Sequence, residues 1–179
     1  MGVTMTTNQN ELPWHVVEAA ILKEKKWLLR VLDFGLRLEN FSTSPLSADE
    51  ILRQISISIL RGDIHAQELN SMQVNGLWMD GGKNWEREHA GERHGGEWHR
   101  AMMAVVKNHF IENGFEVINE PYLNQGRADL GVYKSGYTNL YVEVGTTSLF
   151  KIWINLHTMP NSIFLFVPSE YCAIEFQTK

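Results

Sequence analysis

The stretch GRADLGVYKSGYTNLYVEVG, residues 126–145, alternates apolar and polar residues on both sides of a glycine-centred turn. That pattern predicts two antiparallel strands, Ala128 to Tyr133 and Leu140 to Val144, joined by Ser135, Gly136 and Tyr137. Strand side chains alternate between faces. Leu130 and Val132 therefore share one face with Leu140, Val142 and Val144. Asp129, Gly131 and Tyr133 share the other with Tyr141, Glu143 and Gly145. A turn centred on Gly136 sets Asp129 directly opposite Glu143. Opposed side chains lie close, with Cβ atoms about 5 Å apart, so two carboxylates there repel unless a cation or a proton intervenes. Such a pair suits a hard divalent metal ion.

The rest of the chain arranges itself around this hairpin. Residues 97–112 carry a helical pattern that Asn113-Gly114 ends. Phe115 to Glu120 reads as a strand. Beyond the hairpin, Thr147 or Ser148 caps a helix reaching about His157. Ser162 to Val167 is a continuous apolar run of the kind found in central buried strands, and Tyr171 to Phe176 reads as a further strand. The order helix, three strands, helix, strand predicts an α/β layer with a mixed sheet. Upstream, residues 11–39 have helical periodicity. Ser47 with Glu50 forms a capping box for a helix over ADEILRQISISIL, which Gly62 breaks. Asp63 is read as the cap of a shorter helix over IHAQELNSM. These two helices are expected to pack plainly rather than as a DNA-reading helix-turn-helix, because no basic recognition face is present. The predicted organisation is a helical N-terminal segment (1–75), a Gly- and charge-rich linker or loop (76–96) and an α/β core (97–179).

Composition narrows the function classes. Of 179 residues, 44% are hydrophobic, with six Trp and eight Phe, which argues for a packed core rather than disorder. The net charge of -5 disfavours a strongly basic nucleic-acid binder while leaving room for a local basic groove. Cys172 stands alone, so a Cys-based zinc site and an intrachain disulfide are excluded, and a reducing, cytoplasmic setting is the expectation. No basic-then-apolar leader pattern is seen at the start. No apolar run is long enough to span a bilayer, so no membrane partner is expected. His89, His94 and His99 recur every five residues, which does not match the i, i+3 or i, i+4 spacing of helical metal ligands.

The element order, with Arg127-Ala128-Asp129 opening one strand and Glu143-Val144-Gly145 closing the next, resembles the PD-(D/E)xK, or restriction-endonuclease-like, nuclease superfamily over about residues 97–168. That resemblance implies a restriction-endonuclease-like core with a mixed central sheet flanked by helices. It also implies metal-dependent hydrolysis of DNA or RNA phosphodiester bonds. The family's Pro is absent, and its E-x-K lysine is replaced by Gly145. Two cations are candidates to take that role. Lys151 lies on the next helix, where the branch containing the viral cap-snatching endonucleases carries its lysine. Arg127 sits opposite Gly145 on the expected register. The same branch implies a metal-binding histidine on the preceding helix, where His99 lies with Trp98, Met102, Met103, Val105, Val106 and Phe110 on the apolar arc. It also implies a further acidic ligand near Glu120.

The expected site therefore comprises Asp129, Glu143, Glu120 and His99 as metal ligands, with Lys151 or Arg127 as the cation. The expected cofactor is Mg²⁺ or Mn²⁺, bound by a carboxylate-rich set and activating water for attack on phosphate. The N-terminal helices are the expected surface for a homodimer or larger complex. The competing reading is a catalytically inactive nuclease-fold module that binds nucleic acid or a protein partner, which the missing lysine favours.

Overall fold

In the computed structural model the described residues are 46–69, 95–169 and 172–179, together with His15, Val16 and Ala19, which are helical. They form an α/β structure around one six-stranded mixed sheet. The elements are α1 (Ala48–Arg61), β1 (Ile64–Leu69), α2 (Glu97–Glu112), β2 (Glu116–Asn119), β3 (Leu130–Tyr133), β4 (Asn139–Val144), α3 (Leu149–Thr158), β5 (Ser162–Ser169) and β6 (Cys172–Thr178). The strand order is β1-β6-β5-β4-β3-β2. Only β4 and β5 pair in parallel, and α3 connects them. The other pairings are antiparallel.

Alternation along β4 and β5 gives the sheet two apolar faces. On one face, Trp98, Met102 and Val106 of α2, at i, i+4 and i+8, pack against Leu130, Val132, Val142, Val144, Leu165 and Val167. On the other, Ile51 and Ile55 of α1 and Leu149, Ile152 and Leu156 of α3 pack against Tyr141, Phe164, Phe166, Ile174 and Phe176. Ile51, Ile55, Leu130, Leu149 and Phe176 are fully buried, each contributing about 2 kcal/mol of apolar burial. Val105, expected on the buried arc of α2, lies 37% exposed because that arc is narrower than the full apolar set of the helix.

The termini follow local chemistry. Ser47 caps α1, its hydroxyl accepting the Glu50 N–H at 3.2 Å. Gly62 ends α1 in the left-handed region (φ 79°) and donates its N–H to Ile59. Ser148 caps α3, and Asn113 with Gly114 ends α2.

The segment after Gly62 differs from the expected short helix. Residues 64–69 form β1, an edge strand antiparallel to β6, with Ile64 opposite Thr178 and Leu69 opposite Ala173. Burying Ile64 and Ala66 beside Phe176 while His65 faces solvent requires period two, not 3.6, so no helix-turn-helix is formed there. The expected helical N-terminal segment therefore contributes a strand to the sheet. Most of that segment's first helix, the surface expected for a homodimer, lies outside the described residues, as do nearly all of the expected 76–96 linker and His89 and His94.

Candidate active site

The observed β3–β4 register, Leu130 opposite Val142 and Gly131 opposite Tyr141, is the one the turn at Gly136 predicts. It places Glu143 on the α1/α3 side of the sheet, next to Tyr141 and across from Phe166 of β5. Glu143 is 8% exposed. Lys151, in the first turn of α3, reaches back beside Gly126 and brings Nζ to 2.7 Å from Glu143 Oε1. Burial pushes the Glu143 carboxyl up to about 7; Lys151 opposes the rise, the nearby Asp129 charge adds to it, and a hydrogen bond involving the Thr147 side chain lowers it.

Asp129 immediately precedes β3. The strand starts at Leu130, two residues later than expected, because the ladder ends there. The Asp129 N–H donates to Val142 O at 3.0 Å, and its Oδ2 accepts the Val144 N–H at 2.7 Å. The carboxylate is thus tied to the strand that carries Glu143. His99, in the first turn of α2 and buried, brings Nε2 to 3.3 Å from the same Oδ2. The two acids, one imidazole and one lysine therefore meet at one end of the sheet, supplied by α2, β3, β4 and α3.

Glu120 and Arg127 take a different arrangement. Pro121 to Ala128 forms a short hairpin in which Tyr122 bridges to Arg127. The expected pairing of Arg127 with Gly145 is not formed, because β3–β4 pairing ends at Leu130 and Gly145 donates instead to Val167 O on β5. Arg127 Nη1 lies 3.2 Å from Glu120 Oε2, its Nη2 donates to the Tyr122 hydroxyl, and both charged side chains are largely exposed. Glu120 turns the chain at φ 48°, and its N–H donates to Asp129 O, so it borders the site through its backbone while its carboxylate faces Arg127. The Glu120 and Tyr122 partners leave Arg127 pushed up in pKa, with Tyr122 the larger cause.

Asn155 was legible only as a neighbour of Lys151 on α3. It is 1% exposed and binds the hairpin as a peptide group would, accepting from Gln125 N and donating to Gln125 O, both at 2.9 Å, and to Lys151 O. Asn124 adds a bond to Thr158 O at the far end of the helix. A polar residue four positions after a candidate lysine, on a helix whose first two turns are otherwise apolar, was the available signal.

Among the described residues, no three His, Cys, Asp or Glu side chains converge closely enough to cage a metal ion. The donor chemistry nonetheless fits a hard cation shared with a substrate. Two adjacent carboxylates are present, Asp129 and the buried Glu143, and among the described residues the charge of Glu143 is met by a single cation, Lys151 Nζ at 2.7 Å. Mg²⁺ is commonly held by one or two carboxylates plus substrate phosphate and water rather than by an all-protein cage. Comparisons with protein-family models, curated proteins and solved structures found no match. No described helix is long and apolar enough to cross a membrane.

Proposed function

We propose that this chain is a metal-dependent nuclease that hydrolyses phosphodiester bonds of DNA or RNA on a restriction-endonuclease-like core. The observation that carries this reading is the Glu143–Lys151 pair, its carboxylate buried, standing beside the Asp129–His99 pair, with the lysine supplied by the helix after the E-x-K position. Asp129 and Glu143 would hold Mg²⁺ or Mn²⁺. His99 would fix the orientation of Asp129 and be available as a third ligand, which tilts the preference toward Mn²⁺. When bound, the ion supplies a Lewis acid for the phosphate and lowers the pKa of a coordinated water. Glu143 must give up its proton to serve. Lys151, whose Nζ stands 2.7 Å from Glu143 Oε1, would offer its charge to the phosphate oxygens. Glu120, whose carboxylate faces Arg127, would become free to approach the site only if Arg127 turned to a phosphate.

The test is cleavage of labelled single-stranded DNA, duplex DNA and RNA with Mg²⁺, Mn²⁺ or EDTA. Lys151→Ala should abolish cleavage and Arg127→Ala should only weaken it; the reverse order would move the cationic role to Arg127. A second reading draws on one observation: Lys151 already satisfies the charge of a carboxylate that burial keeps partly protonated at neutral pH. It is an inactive nuclease-fold module binding nucleic acid or a protein. Calorimetry with Mn²⁺ giving no heat, with no thermal shift, would favour that reading.

A further inference from the structure

Tyr122 is 76% exposed although it sits in a firmly held hairpin. The Arg127 guanidinium lies over one face of its ring, 4.3 Å from the centroid, and bonds its hydroxyl. The exposure of the ring leaves its remaining surface in solvent. The hairpin under it is pinned. Leu123 N bonds Gly126 O at 2.9 Å, Ala128 N bonds Pro121 O at 3.1 Å, and Asn155 and Thr158 hold Gln125 and Asn124 from α3. Asp129 follows Arg127 by two residues, and the Lys151 side chain passes beside Gly126. A rigid aromatic face backed by a cation therefore stands at the mouth of the site.

We propose that Tyr122 and Arg127 form a stacking platform for an unpaired nucleobase, so that this nuclease selects single-stranded nucleic acid or the unpaired ends and loops of folded strands. The proposal rests on the nuclease reading above. An aromatic ring with a free face stacks any base whose own face is uncovered, and a base inside a duplex has both faces covered. The Arg127 charge serves the adjacent phosphate. Its present partner, Glu120, competes weakly, because an exposed ion pair contributes little.

The test measures binding of fluorescein-labelled 12-nucleotide strands in Ca²⁺ buffer by anisotropy. The strands are single-stranded DNA, the same sequence as RNA, blunt duplex DNA, and a single strand abasic at every position. Tyr122→Ala should weaken binding to both base-bearing single strands about 10-fold or more. It should change duplex and abasic binding less than about 2-fold, because the abasic strand offers no base and the duplex offers only the outer faces of its paired ends, with no unpaired base. Tyr122→Phe, which keeps the ring, should stay within about 2-fold of the parent on every strand. The DNA and RNA arms report whether the sugar matters. Equal loss on abasic and base-bearing strands, or no loss on either, overturns the platform. If the parent protein still cleaves nucleic acid in Mn²⁺ in that case, the nuclease reading survives alone. If the parent neither binds nor cleaves any strand, both fall together.

Discussion

At the scale of single residues, Glu143 carries the main conflict in this chain. It is a buried carboxyl whose pKa is raised to about 7, with burial the largest cause. The folded protein therefore holds its proton more tightly than the unfolded chain does. Stability is fully present below pH 4.5 and declines as pH rises from 4.5 to about 7, by at most on the order of 3 kcal/mol. Urea denaturation at pH 5 and pH 7.5 in EDTA should show this fall, and Glu143→Gln should remove most of it. The same proton predicts that cleavage rises with pH through about 7 and that higher Mn²⁺ moves the rise to lower pH, since the metal and the proton compete for the carboxylate. Gly145 is a poor position for a lysine. Its φ of 80° lies in the left-handed region, where a side chain costs about 1–2 kcal/mol. Placing a lysine at this position by Gly145→Lys should therefore destabilise the protein and, on the nuclease reading, fail to rescue Lys151→Ala, as read by thermal melting and cleavage rate.

At the scale of elements, the site depends on α3 gripping the 121–128 hairpin. Asn155→Ala removes three hydrogen bonds from a buried position and leaves Gln125 unsatisfied, which should cost about 2–3 kcal/mol. Hydrogen exchange should show the loss concentrated at residues 122–127. Unchanged exchange there would mean that the hairpin is held by other contacts. Much of this arrangement was legible. The bounds of α2, the Ser47 cap, a cap at Thr147 or Ser148 (Ser148 in the structure), the 130–144 register and the central position of β5 all follow from local pattern and turn chemistry, which act over a few residues. What was not legible depends on distant partners. β1 takes its conformation from β6, more than a hundred residues away, and the short run IHAQEL satisfies either period until that partner is known. Arg127 was misplaced because strand alternation was carried past the point where the ladder ends and a second small hairpin begins. Asp129, Glu143, His99 and Lys151 come together as their local patterns placed them, because each lies within two turns of helix or one strand of a strong local signal.

At the scale of the whole molecule, one sheet places α2 on one face and α1 with α3 on the other, and the site opens where both helix layers meet the strand ends. His99 arrives from one layer and Lys151 from the other, so the two pairs are joined only through the folded sheet. The most direct test of the nuclease account is metal-dependent cleavage by the full chain compared with Asp129→Ala, whose carboxylate ties β3 to Val144 and faces His99. The account predicts cleavage of at least one of single-stranded DNA, duplex DNA or RNA in Mn²⁺ and none in EDTA. It predicts a loss of about 100-fold or more in Asp129→Ala that still melts cooperatively. Cleavage in Asp129→Ala at the parent rate, or cleavage undiminished by EDTA, would contradict it.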